Sequence, residues 1–93
     1  MTFVQITTAP GLTADQYDAI MQAAHGGELS DGEIFHVAGA GEETWYVIDG
    51  WDSREQCEQS MSKLMPAFAQ SGVDPSSFET REFEIHKLEV RPR

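Results

Sequence analysis

Positive charge is scarce in this sequence: six Lys plus Arg stand against sixteen Asp plus Glu, giving a formal charge of −10 and a pI near 4.4. So acidic a chain repels nucleic-acid phosphates and anionic membrane surfaces, so neither is expected as a partner. Cysteine is nearly absent. The lone Cys57 rules out an internal disulfide and a Cys-based zinc site, and fits a reducing, cytoplasmic setting. No apolar run approaches the roughly 20 residues of a membrane span. The start, Met1-Thr2-Phe3-Val4-Gln5, lacks the charged opening and apolar stretch of a signal peptide. Also missing are a Gly-rich phosphate loop, a nucleophile elbow and a dinucleotide fingerprint. What is present is 93 residues, 40% hydrophobic and 10% aromatic, which suits one small folded domain over residues 1–93.

The chain reads as strand, helix, strand, strand, helix, strand. Phe3 to Thr8 is a β-branched, alternating run that stops at Pro10-Gly11. Thr13 with Gln16 three residues on has the form of a capping box, and Tyr17, Ile20, Met21 and Ala24 follow at helical spacing until Gly26-Gly27. Gly32 to Ala38 and Thr44 to Trp51 form a hairpin. A type II′ turn at Gly41-Glu42 would set Ala38 opposite Trp45, His36 opposite Val47 and Ile34 opposite Asp49. Asp52 or Ser53 caps a second helix whose stripe is Cys57, Met61, Leu64, Met65 and Phe68, with a kink or break expected at Pro66. Gly72 ends this segment. The last strand runs from about Glu79 to Val90, and its change of apolar parity suggests a bulge near His86-Lys87.

This order predicts an α+β fold, a ferredoxin-like βαββαβ sandwich. Val4, Ile6, Phe35, Val37, Tyr46, Ile48, Phe83 and Ile85 are expected to face the helices. The opposite sheet face then holds Phe3, Ile34, Trp45, Val47 and Trp51. Leaving both indoles in water would be costly at roughly 25 cal/mol per Å². A second copy packed sheet to sheet by two-fold symmetry would cover them, so a homodimer through that face is expected.

His36 and Asp49 lie among those tryptophans, and His86 and Glu84 are expected to join them from the last strand. Polar groups among aromatics in a concave space suit a small aromatic or apolar ligand, with Phe3, Trp45, Val47, Trp51 and His86 as its binding residues. His36, oriented by Asp49, is the candidate base for an acidic phenol or 1,3-dicarbonyl proton. The competing account makes His36 a packing element of a non-catalytic dimer. His25, ahead of Gly26-Gly27, is read as a C-terminal cap. Tyr17 is assigned to the helix core and Cys57 to the buried stripe as an inert thiol. Arg81, Arg91 and Arg93 read as a solvated charged edge. The three histidines sit at no metal-ligand spacing, so no metal is expected.

Val47-Ile48-Asp49-Gly50-Trp51-Asp52-Ser53 running into the second helix, and Leu64-Met65-Pro66-Ala67-Phe68 at its end, resemble the dimeric α/β-barrel superfamily, as does the βαββαβ order. The Phe35-His36-Val37-Ala38-Gly39 strand resembles small uncharacterised bacterial members, and the likeness spans essentially the whole chain. The resemblance implies a dimer with a pocket between sheet and helices or inside the shared barrel. It implies relatives that are cofactor-independent antibiotic-biosynthesis monooxygenases, haem-degrading monooxygenases, polyketide cyclases or stress-response proteins. In the haem-degrading branch a tryptophan at the place of Trp51 lines the pocket. That branch also uses a histidine late in the second helix and an asparagine on the first strand. Here those places read Lys63 to Phe68, without histidine, and Gln5, so no cofactor is expected.

Overall fold

The computed structural model describes residues 1–92. Its elements are β1 (Phe3–Ala9), α1 (Ala14–His25), β2 (Glu33–Ala40), β3 (Trp45–Trp51), α2 (Arg54–Gln70), a 3-10 turn (Pro75–Ser77) and β4 (Glu79–Glu84). They build a ferredoxin-like βαββαβ sandwich: one antiparallel sheet in the order β2-β3-β1-β4 and two helices.

Local chemistry accounts for the helix ends. Thr13 accepts from the Gln16 amide while the Gln16 side chain accepts from the Thr13 amide, a complete capping box. Gly26, at φ 63°, closes α1 in the left-handed conformation that glycine adopts without penalty. Ser53 caps α2 by accepting from the Gln56 amide. α2 does not break at Pro66 but runs through it to Gln70. The carbonyl that Pro66 cannot serve belongs to Ser62, on an exposed turn where it is open to solvent.

The hairpin register differs from the expected one by two residues. Ala40 pairs with Trp45, Ala38 with Val47 and His36 with Asp49. The tip is Glu42-Glu43, closed by the Gly41 amide donating to the Thr44 carbonyl at 2.8 Å. Gly41 has no positive φ, so no type II′ turn forms there. It is glycine because a Cβ would stand 2.5 Å from the Tyr46 ring. β4 is also shorter than expected. After Glu84 the Ile85 amide still reaches the Thr2 carbonyl (3.0 Å), but β1 has no further residues to pair with.

The two faces of the sheet are exchanged relative to the sequence expectation. Phe3 and Trp51 pack against Cys57 of α2, and Trp45 stacks near Tyr17 of α1, so the tryptophan-bearing face is the helix-covered one. Val37, Tyr46 and Phe83 are instead 58%, 43% and 54% exposed on the uncovered face. Phe3, Trp45, Val47 and Trp51 are therefore not a surface for a second copy. A second core cluster, Ile20 with Ala67 and Phe68, joins the helices, with Phe78 edge-on to Phe68 at 5.5 Å.

Candidate functional site

Between the helix-covered sheet face and the helices lies a cleft of about 1000 Å³ that touches both core clusters. Its apolar walls include Leu12, Ile20, Met21, Val47, Trp51, Met61, Leu64 and Phe68. On one wall, three elements bring a polar group together. β2 supplies His36 and Glu33, β3 supplies Asp49 directly opposite His36, and α1 supplies Tyr17 one turn beyond its cap. Glu33 and His36 are three apart, which in a regular strand would put them on opposite faces. The irregularity between Glu33 and Phe35 turns both the same way.

The hydrogen bonds form a chain. His36 Nδ1 donates to Glu33 Oε2 at 2.9 Å, while the other Glu33 oxygen accepts from the Ser30 amide at 3.0 Å. That fixes the neutral tautomer, and His36 Nε2 then accepts from the Tyr17 hydroxyl. The two rings stack, centroids 6.0 Å apart and 24° between planes. Asp49 Oδ2 lies 4.0 Å from Nδ1, and Asp49 Oδ1 is buried without a partner, as are the indole nitrogens of Trp45 and Trp51.

Each group's acidity follows from its surroundings. The bond to Glu33 raises the His36 pKa above the ordinary histidine value, overcoming burial, with the charges of Glu33 and Asp49 adding to it. For Glu33, burial is the largest influence and pushes upward. The bonds from His36 and Ser30, with the charges of His36 and His25, outweigh it and hold the carboxyl below its usual value. Burial pushes Asp49 up to about 6, against the pull of His36. Burial, then the charge of Glu33, pushes Tyr17 up to about 12, so its hydroxyl keeps its proton near neutrality.

His36 and Asp49 thus stand together on the cleft wall, and Val47 and Trp51 line it. Phe3 and Trp45 do not: Phe3 sits beneath the Arg54 guanidinium (4.7 Å) and against Cys57, and Trp45 backs Tyr17. His86 is exposed beyond the end of β4 and is not among the residues lining the cleft. Arg81 and Arg91 are exposed and also outside the cleft; Arg93 lies outside the described residues. Sequence reasoning assigned Tyr17 to the core alone and passed over Glu33, whose signal was a carboxylate three residues before the histidine.

His25 is also more than a cap. Its ring lies 3.2 Å from Ser60 Oγ and 3.3 Å from Ser30 Oγ, His25 and Ser60 line the cleft, and burial lowers its pKa. Among the described residues, Glu33, His36 and Asp49 form a group whose donor atoms converge within 4.8 Å. The hydrogen bond from His36 to Glu33 joins two of the three, and the set also has the ligand types and convergence to hold a metal ion, which the histidine spacing alone did not reveal.

No protein-family model and no curated protein matches the sequence. Solved structures do match the fold. An antibiotic-biosynthesis-monooxygenase-like protein from Chloroflexus aurantiacus J-10-fl superposes with a TM-score of 0.69 at 16% identity, over 97% of this chain and 98% of that one. SnoaB, a cofactor-independent oxygenase from Streptomyces nogalater, gives 0.61 at 17% identity over 94% and 93%. A dimeric ferredoxin-like protein from an uncultured marine organism gives 0.60 at 11% identity over 98% and 93%. The fold shared with these structures is the ferredoxin-like one. At these identities the likeness speaks for architecture and leaves chemistry to the side chains. No helix of the described residues is long and apolar enough to cross a membrane.

Proposed function

We propose that this chain is a homodimeric small-molecule-binding protein that removes a proton from an aromatic or polyketide-like substrate, as a cofactor-independent oxygenase or cyclase does. The observation that carries this reading is His36 held between Glu33 and Tyr17 on the wall of a largely apolar cleft. Glu33 fixes the tautomer and stabilises the imidazolium that forms. The Tyr17 hydroxyl hands its proton to His36 Nε2 as its oxygen takes the substrate's, so the high-pKa phenol ends the step protonated and the positive charge rests on His36. Asp49 supplies a second negative charge beside the new cation. The substrate carbanion then reacts with dioxygen, or attacks a carbonyl of the same molecule in a cyclisation. Apolar walls keep water from quenching it. SnoaB, a cofactor-independent oxygenase of the same fold, supports the oxygenase form of the reading.

The test uses 7-hydroxycoumarin at pH 7, where the free probe is mostly undissociated and its anion absorbs at longer wavelength. Binding should raise the anion fraction, and His36→Gln should cut that ionisation by about tenfold or more while the probe still binds. A bound probe that stays neutral in the wild-type protein would overturn the reading and leave His36 as a packing element.

A further inference from the structure

The charge of the cleft narrows the class of substrate. Its lining includes Asp18, Glu28, Glu33, Asp49 and Asp74, and among the described residues it includes no lysine or arginine. Arg54 at the start of α2 is committed to Glu82 and to the Phe3 ring. Burial leaves His25 less basic than an ordinary histidine, so it adds little positive charge. We infer that the cleft takes an uncharged, hydroxyl-bearing aromatic and rejects carboxylates and phosphates. This rests on the proposed function and names its substrate class.

The physical reason is the sign of the local field. A carboxylate ligand would bring a third negative charge beside Glu33 and Asp49, in a site whose apolar walls screen poorly. It would meet two acceptors, with His36 already bonded to Glu33 and no lysine or arginine in the lining; Lys63, whose charge reaches His25, stands outside that lining. A neutral hydroxyl faces neither difficulty, because it can donate to a carboxylate or to the Tyr17 oxygen. When it loses its proton to His36, the site's total charge does not change: one anion and one cation appear together. A ligand that arrives ionised brings no proton of its own, so compensation by His36 must draw one from solvent. Asp49 is the carboxylate to alter, because it is 8% exposed and one of its oxygens has no partner to lose.

The experiment compares three probes with one ring system by calorimetry at pH 7: coumarin, 7-hydroxycoumarin and coumarin-3-carboxylate. The wild-type protein should bind 7-hydroxycoumarin at least tenfold more tightly than the carboxylate. Asp49→Asn keeps the shape and removes the charge. It should tighten carboxylate binding about fivefold or more and change coumarin little. A gain of binding cannot come from misfolding, and coumarin reports an intact cleft in the variant. Equal affinities for the hydroxyl and carboxylate probes, or an affinity ratio unmoved by Asp49→Asn, would overturn the inference. A tenfold gap with a neutral bound probe would uphold the selectivity and overturn the base. An ionised probe without the gap would do the reverse.

Discussion

His36 accepts a proton only in its neutral form, and its neighbours decide where on the pH scale that form exists. Because the Glu33 bond raises its pKa, the neutral form grows in at a higher pH than it would without that bond. Probe ionisation should therefore rise with pH through that shifted midpoint, and Glu33→Gln should move the midpoint to lower pH. An NMR titration of the His36 ring, in parallel with probe absorbance, checks both; coinciding midpoints are expected. Asp49 makes a separate prediction about stability. Its folded pKa of about 6 lies above the unfolded carboxylate value of 3.8, so the folded state holds the proton more tightly. The contribution is fully present below about pH 3.8 and is lost as pH rises through 6. At one pKa unit per 1.4 kcal/mol, the loss is at most about 3 kcal/mol. The unfolding free energy of Asp49→Asn relative to wild type should accordingly grow between pH 4 and pH 7, as chemical denaturation at each pH would show. A flat difference would mean Asp49 is solvated in the folded state.

The elements follow from sequence where their causes are local. The Thr13–Gln16 capping box, the Gly26 terminator and the Ser53 cap all stand where residue chemistry puts them. Thr13→Ala should cost about 1 kcal/mol, measured by urea unfolding, because it orphans the Gln16 amide. Long-range geometry was less legible. The hairpin register turned on one glycine, and two physical demands can each require glycine: a positive φ or a close approach. Gly41 answers the second, through the Tyr46 ring, and that contact cannot be seen before the strands are paired. Glu33 was hidden for a related reason. Strict alternation puts it on the face opposite His36, and only the irregularity between Glu33 and Phe35 restores it. The last strand was overextended because its own composition does not record where β1, its partner, begins.

At the scale of the molecule, alternation showed that both sheet faces are apolar but left open which one the helices cover. A one-residue rotation of the strands exchanges the two sets without changing either pattern. The polar residues break the tie: Tyr17 of α1 meets His36, and Cys57 of α2 donates to Gln5, so the face carrying His36 and Gln5 turns to the helices. The uncovered face then has rows across the sheet, Val37–Ile48–Ile6 and Phe35–Gly50–Val4–Phe83, with Tyr46 alongside and Arg81 and Glu79 at the β4 rim. If a second copy covers this face, a charge at its middle is met twice by symmetry. Val37 is the residue to alter. At 58% exposure the fold of one copy gains little from it, while a sheet-to-sheet dimer would bury it. Val37→Glu should leave the circular dichroism and the thermal midpoint of the separated chain unchanged. It should weaken association about 100-fold, near 3 kcal/mol, as sedimentation velocity across a concentration series would read. Burial within one copy already shields both indoles, so tryptophan quenching should be alike in the two proteins. A variant that associates as tightly as wild type, or a wild-type chain that stays single at high concentration, would rule out packing through this face.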